Sequence, residues 1–413
     1  MDLMLRNRAA LLLLMFNIFL VFTGIGLVVP IMPTYMNTLH IGGIIVGLLT
    51  ATFSVAQLIC SPIGGRISDR LGRKKVIIVG MAIFAVSEFL FGIANAPWLL
   101  FVSRILGGIG AALIMPAVMA YTADITSDEE RAKGMGFINA AITTGFIIGP
   151  GIGGFLAEFG IRVPFFAAGF AALISGVVTL LVLPESLSLE RRAEIAAASA
   201  GKRDSLLKQL ATSYKTPYFL SLVIVFVSAF GLANYETVFG LFVDHKFGFT
   251  ARDIAVIITF GSIAGAVVQA TFFGWLLNRF GEQRVISICL AVAAVFVLMT
   301  LLVHPYWLIV TVTFIVFLAI DILRPAIGTQ ISRRAGDQQG FAAGLNSAYS
   351  SLGNIAGPIV AGALFDVNIN YPYVSAAIVL FLCFLLVLLA GRRDRELNDG
   401  PAAAAQAQPA ERV

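Results

Sequence analysis

Gly145-Phe146-Ile147-Ile148-Gly149-Pro150-Gly151-Ile152-Gly153-Gly154 sits inside a long apolar run, and a second version, Gly353-x-x-x-Gly357-Pro358-x-x-x-Gly362, sits inside another run 208 residues later. Residues 149–154 satisfy the letter pattern of a dinucleotide-binding turn, but that turn needs a strand before it. Apolar, helix-length sequence flanks this one on both sides. Glycine at every fourth position is instead how helices in an apolar medium approach closely, and Pro150 is placed to kink the helix. Two further elements recur at an offset of 209: Gly65-x-x-x-Asp69-Arg70-x-Gly72 as Gly274-x-x-x-Asn278-Arg279-x-Gly281, and Pro116-Ala117 as Pro325-Ala326. Three elements in register within one residue describe a duplicated chain.

Composition fixes the medium. Of 413 residues, 59% are hydrophobic and 12% charged, and mean hydropathy is +0.92. Soluble chains carry about 25% charge, so a water-soluble enzyme is excluded. A helix crosses a bilayer with about 20 apolar residues. Twelve such runs follow one another: 9–34, 42–65, 75–95, 98–122, 133–157, 162–184, 216–243, 252–279, 285–303, 306–331, 340–365 and 371–391. The first run lacks a small-residue cleavage site and leads into further spans, so it reads as a membrane helix rather than a signal peptide. The expected architecture is an all-α integral membrane protein of two pseudo-symmetric six-helix bundles, 1–184 and 216–391. A cytoplasmic linker, 185–215, partly helical, joins them, and a disordered tail, 392–413, follows. Parallel repeats of this kind hold their substrate between the halves near mid-membrane.

Lysine and arginine set the orientation. Of 28 basic residues, 23 fall on the side of both termini, three (Arg162, Lys246, Arg252) on the other, and Arg104 and Arg324 lie within spans. The positive-inside rule places both termini in the cytoplasm, and the net charge of +5 reflects these loops rather than nucleic-acid binding. Cys60, Cys289 and Cys383 lie far apart in apolar runs, and His40, His245 and His304 near run ends. No disulfide framework, metal site or cofactor is expected from them.

The residues also carry a family resemblance. Gly65-Arg66-Ile67-Ser68-Asp69-Arg70-Leu71-Gly72-Arg73-Lys74 resembles the loop 2–3 signature of the major facilitator superfamily. Gly145–Gly154 resembles the helix 5 signature of its drug/proton antiporters. Ser103-Arg104-Ile105-Leu106-Gly107-Gly108 matches their helix 4 arginine motif, and Gly26-Leu27-Val28-Val29-Pro30-Ile31-Met32-Pro33 their helix 1 motif. Tyr235-Glu236-Thr237, Asp321-Ile322-Leu323-Arg324-Pro325-Ala326 and Gly344-Leu345-Asn346-Ser347 are similar to bacterial multidrug exporters of that family, with Thr143 where their pattern has asparagine. The resemblance implies a monomeric exporter of diverse lipophilic, often cationic or zwitterionic drugs in a bacterial plasma membrane, driven by protons. It implies that Gly65, Asp69, Arg70, Gly72 and Arg73 latch the cytoplasmic ends of the halves. Gly145, Gly149 and Pro150 would form a helix that seals yet moves.

A charge at the centre of a span costs roughly 2.5–3.5 kcal/mol, so Glu88, Arg104, Glu236, Asp321 and Arg324 are functional candidates by default. Glu236 has no cation beside it on its helix and is a candidate to carry a proton or to face a cationic drug. Asp321 and Arg324 share a helix face, either as a neutralised pair or as a proton switch. By resemblance Arg104 faces the N-half cavity and takes part in coupling; Glu88 is read as structural. Aromatic and polar residues near these charges are the candidate cavity lining: Phe16, Asn17, Gln57, Thr143, Phe146, Tyr235, Phe239, Phe317, Asn346, Ser347 and Asn354. No phosphate loop for ATP exists in the sequence. A dedicated carrier of one metabolite remains the alternative on the same fold. A membrane-embedded enzyme would need a clustered His/Asp/Glu or Ser/His set that is absent from the sequence.

Overall fold

In the computed structural model, which describes residues 7–188, 190, 206–335 and 339–399, twelve helices are long and apolar enough to cross a membrane. They are α1 (Arg8–Leu39, tightened by a 3-10 turn at Val29–Ile31), α2 (Gly43–Leu71), α3 (Arg73–Ile93), α4 (Pro97–Asp124), α5 (Asp128–Ala157) and α6 (Val163–Val182), then α7 (Phe219–Phe247), α8 (Ala251–Phe280), α9 (Glu282–Leu302), α10 (Tyr306–Ala335), α11 (Gln339–Val367) and α12 (Tyr371–Asp399). Helix is forced here, because a backbone in hydrocarbon must satisfy its own hydrogen bonds. Local signals set the ends. Pro97 and Pro164 start α4 and α6, where a missing N–H costs nothing. Reciprocal capping boxes, Ser127/Glu130 and Thr250/Asp253, start α5 and α8. Gly72 at φ 104° and Gly281 at φ 77° turn the chain between α2 and α3 and between α8 and α9, conformations that suit glycine alone.

The boundaries differ from the sequence reading in two places, at the end of α1 and the end of α12. α1 continues past the prolines to Leu39 and ends on left-handed His40, φ 52°. The linker, read as partly helical, holds a helix, Leu206–Thr212, and a 3-10 turn, Ser213–Lys215; its charges Arg191, Arg192, Glu194, Lys202, Arg203 and Asp204 lie outside the described residues. α12 runs to Asp399, into the segment expected to be a disordered tail; residues 400–413 lie outside the described residues.

Glycine sets the packing. A methyl group on Gly145, Gly149 or Gly153 would stand 2.7, 2.7 or 2.5 Å from the carbonyl oxygens of Phe19, Thr23 and Leu27 on α1. In the second half, Gly353 and Gly357 of α11 lie equally tight, 2.6 Å, on the carbonyls of Phe226 and Phe230 of α7. The other faces of the same two helices meet the opposite half. Gly154 of α5 packs on Ala251 and Ala255 of α8, and Gly362 and Pro358 of α11 pack on Gly43 and Gly47 of α2. Gly43 and Gly47 are offset by 208 from Ala251 and Ala255, so the repeat read in the sequence is the two-fold relation of the interface.

The halves join at one end. The large hydrophobic core contains the second half together with Leu27–Tyr35, Ile41–Leu49, Phe91–Leu100 and Phe165 of the first; the remaining buried residues of the first half, Leu11 to Leu183, form a separate core. Two acids, also offset by 208, fasten the joined end. Asp366 of α11 accepts hydrogen bonds from the Gly43 and Ile44 amides, at 2.6 and 2.9 Å, and so caps α2, whose own N-cap residue is a glycine. Glu158, after α5, accepts from Arg252 at 3.1 Å. Toward the opposite end, which carries the basic loops, the first half keeps a core of its own. Trp98 and Trp307, 65% and 76% exposed, mark the joined end, and Trp275, 60% exposed, the other, as expected of aromatic belts at two membrane surfaces.

Gly149→Leu should lower the melting temperature of the detergent-solubilised protein by overpacking worth about 1–3 kcal/mol. Gly136→Leu, where nothing lies within 4 Å, should leave it unchanged. Asp366→Ala should loosen the joined end. Spin labels placed across the α2–α11 contact would report a larger separated population in the variant, and an unaltered distance distribution would show that the cap carries no weight.

Candidate functional site

α7 is the most enclosed of the twelve spans, with 78% of its apolar window buried. Glu236 is only partly buried on this helix, between fully buried Tyr235 and Val238. Across from it on α10, Asp321 is partly buried and Arg324 exposed, and the charges of both act on Glu236. Asp321 lies directly against Gly265 of α8, where any side chain would collide with its carboxylate. Among the described residues no ion pair within 4.0 Å closes between Arg324 and either acid. Among the described residues the three charges of the second half are therefore not locked into an ion pair, with Glu236 on α7 beside the Thr313–Phe317 stretch of α10 and Asp321 and Arg324 further along α10.

Behind Glu236 lies a layer of rings. Tyr235 stacks on Phe239 at 5.5 Å and meets Phe317 and Tyr373 edge-on at 6.1 and 5.4 Å, while its hydroxyl donates to Thr313 Oγ1 at 3.2 Å. Tyr235, Phe239 and Phe317, expected to line the cavity, are buried at 1%, 0% and 4% exposure. They tie α7 to α10 and α12 and set the angle at which Glu236 leaves its helix. Asn346 and Asn354 of α11 are partly buried and Ser347 is exposed. Tyr349 shares a 2.7 Å hydrogen bond with Ser213 of the linker turn.

In the first half Phe16 and Phe146 are exposed, at 49% and 45%, Thr143 is exposed, and Gln57 is partly buried. Phe146 sits edge-on to Phe22 at 4.8 Å. Asn17, expected to line the cavity, is fully buried instead. Its amide nitrogen donates to Thr179 Oγ1 at 2.9 Å, its oxygen accepts from Ser175 at 2.6 Å, and it clamps α1 to α6. Arg104, expected to face the cavity, is also turned inward. It is 8% exposed, its guanidinium lies 4.5 Å from the centre of the Phe91 ring, and the charge of Glu88 acts on it. Glu88 is 16 residues away, so sequence proximity gave no sign of this pairing.

The loop signature is a closed network within the first half. Arg73 bonds Asp69 at 2.5 Å, Ser68 at 3.2 Å and Asp124 at 3.4 Å, and Glu185 accepts from the Arg73 amide at 2.9 Å. Arg70 is exposed. Gly72 makes the turn, whereas Gly65, expected to share that role, is an ordinary residue of α2. Among the described residues no cluster of three His, Cys, Asp or Glu side chains forms a metal site, and all three cysteines are free.

A family model described as Major Facilitator Superfamily matches residues 14–270 and 221–412. The chain belongs to that superfamily. It is 50% identical over 376 residues to Multidrug resistance protein 2 of Bacillus subtilis, covering 91% of this chain and 94% of that one. It is 37% identical over 387 residues to Quinolone resistance protein NorA of Staphylococcus aureus, covering 94% and 97%. The fold is also that of a bacterial homologue of the human lysosomal transporter Spinster, solved in an inward-facing and occupied conformation: TM-score 0.74, 17% identity, 94% and 97% coverage. The protein is a multi-pass membrane transporter of this superfamily.

Asn17→Ala should destabilise the protein by about 1–3 kcal/mol, because it leaves a buried hydroxyl unpaired, while its preference among transported compounds stays that of the native chain. A changed preference at native stability, read by competition between dyes, would return Asn17 to the cavity wall.

Proposed function

We propose that the protein is a proton-coupled exporter of lipophilic, often cationic drugs that works by alternating access, with both termini in the cytoplasm and the open end facing it. The observation that carries this reading is the set of charges inside the spans of the second half, Glu236 on α7 with Asp321 and Arg324 on α10, no two of them closed into an ion pair among the described residues, in a chain half identical to a multidrug resistance protein. A carboxylate in a low-dielectric cleft is attractive either to a proton or to an organic cation, and holding one excludes the other. That exclusion is the chemistry of antiport. Arg324 supplies a positive charge that either acid can take when deprotonated, so the second half stays near neutrality through the exchange. Phe16, Phe146 and Thr143 of the first half, with Gln57, Asn346, Ser347 and Asn354, offer flat apolar surface and few fixed polar groups. A site of that kind accepts varied shapes. The energy source fits as well: one charge crossing 100 mV yields about 2.3 kcal/mol, enough for a drug gradient of more than tenfold.

In this reading Asp69, Arg70 and Arg73, with Gly72 as the turn, close the cytoplasmic ends when the joined end opens. Gly145, Gly149 and Pro150 keep α5 sealed against α1 in both states. The chain acts as a monomer, without cofactor.

The test is ethidium transport in proteoliposomes under an imposed pH gradient. Glu236→Gln should reduce gradient-driven accumulation roughly tenfold or more, equivalent to about 1.4 kcal/mol, while Thr237→Ser leaves it intact. Full transport by the Gln variant would move coupling to Asp321. Absence of native transport of ethidium or of a fluoroquinolone would favour a carrier of one metabolite.

A further inference from the structure

Glu88 of α3 and Arg104 of α4 lie outside the cleft and have no part in the exchange just described. Both are nearly sealed, at 5% and 8% exposure. Yet among the described residues they form no ion pair within 4.0 Å, and the Glu88 Oε2 atom is buried with no hydrogen-bond partner. The guanidinium rests instead on the Phe91 ring, one turn along α3 from Glu88. Around them the helices are stitched together: Ser103 of α4 donates to the Ser87 carbonyl at 2.8 Å, and Gly107 packs on Ser87 and on Phe53 of α2. Arg104 is the charged group that acts on Glu88. On α1, the titratable neighbour is Tyr35, whose hydroxyl donates to the Phe91 carbonyl at 3.1 Å; α6 contributes Phe165 against Phe91.

An ionised carboxylate in this setting needs its partner at contact distance, since an unpaired buried charge is very costly. The arrangement seen, with one oxygen unsatisfied and the cation parked on a ring, suits the neutral acid. A second arrangement, with Arg104 swung from Phe91 onto Glu88, suits the carboxylate. The switch between them is wired to the moving parts. Gly24 of α1 is packed on Phe84 and Glu88, 3.4 Å from Glu88 Oε1 at its would-be methyl, while its neighbour Thr23 receives Gly149 of α5. A tilt of α1 therefore changes the space beside Glu88.

We infer that Glu88 is a second proton-carrying carboxyl of the transport cycle, housed in the first half, with Arg104 as the cation that replaces its proton. This rests on the proton-coupled reading above. The step is a plain transfer: Oε2 takes a proton from water that enters on one side of the membrane, Arg104 returns to Phe91, and in the other state the proton leaves to water as the Arg104–Glu88 pair closes. No electrons move. Because drug does not reach this acid, its proton adds to the one displaced at Glu236.

The test compares native protein, Glu88→Gln, Glu88→Asp and Glu236→Gln in proteoliposomes loaded with a pH-sensitive dye, measuring protons moved per ethidium and ethidium–ethidium exchange without a gradient. Glu88→Gln should keep exchange and lose one proton from the ratio, and Glu88→Asp should restore it. An unchanged ratio in Glu88→Gln, with native coupling intact, would overturn this inference alone. Native transport of ethidium with no proton movement would overturn the coupled reading and this one together. Should Glu88→Gln fail to assemble, Phe91→Leu provides the second measurement. It removes the resting place of Arg104 and should shift the pH of half-maximal proton flux. An unshifted profile would also overturn the inference.

Discussion

Everything in this molecule hangs on glycine lying against backbone carbonyls. Gly145, Gly149 and Gly153 of α5 fit the oxygens of Phe19, Thr23 and Leu27, and Gly353 and Gly357 of α11 fit those of Phe226 and Phe230. In lipid there is no hydrophobic gain when apolar helices associate, so contact must come from close fit. The spacing of four residues repeats the helical turn, so each glycine meets a carbonyl one turn further along. That produces a long, smooth contact with no interlocking side chains. The remaining glycines of the same helices do the opposite work at the joint between halves, where Gly154 and Gly362 cross α8 and α2. One helix thus carries a seam within its own half on one face and a seam between the halves on the other.

Glu236, Asp321 and Arg324 sit on α7 and α10, and Asp321 lies against Gly265 of α8. The aromatic layer of Tyr235, Phe239, Phe317 and Tyr373 is fully packed behind them. In the proposed exchange that layer is the rigid back of the site. In the first half the corresponding polar residues, Asn17, Glu88 and Arg104, are turned into the bundle instead. The two halves share a fold and differ in where they keep their polarity.

Much of this was legible in the sequence. Twelve spans, the two-half repeat and the packing role of Gly145–Gly154 follow from hydropathy and spacing, because lipid leaves the backbone few options. The charges within spans were legible for the same reason. What spacing does not encode is rotation about the helix axis. Asn17 adjoins exposed Phe16, yet a turn of 100° sends it to α6 while Phe16 stays open. The Glu88–Arg104 proximity is a contact between two helices and leaves no trace in local pattern. Tyr235 was expected at the cavity because it precedes Glu236, but adjacent residues on a helix point in different directions. Asp366 had a readable signal that passed unused: it lies at the repeat offset from Glu158.

Those two acids are related by the repeat but not equal in strength. Glu158 meets Arg252 with both side chains exposed, and exposed pairs of this kind are worth about 0–1 kcal/mol. Asp366, itself exposed, bonds two backbone amides at the start of α2, a helix cap of the kind worth about 0.5–2 kcal/mol. It also occupies a position no side chain on Gly42 or Gly43 would allow. The α5–α8 latch is a pair of side chains in solvent and the α2–α11 latch is a side chain on backbone amides, so the two seams that the repeat relates are held by different chemistry.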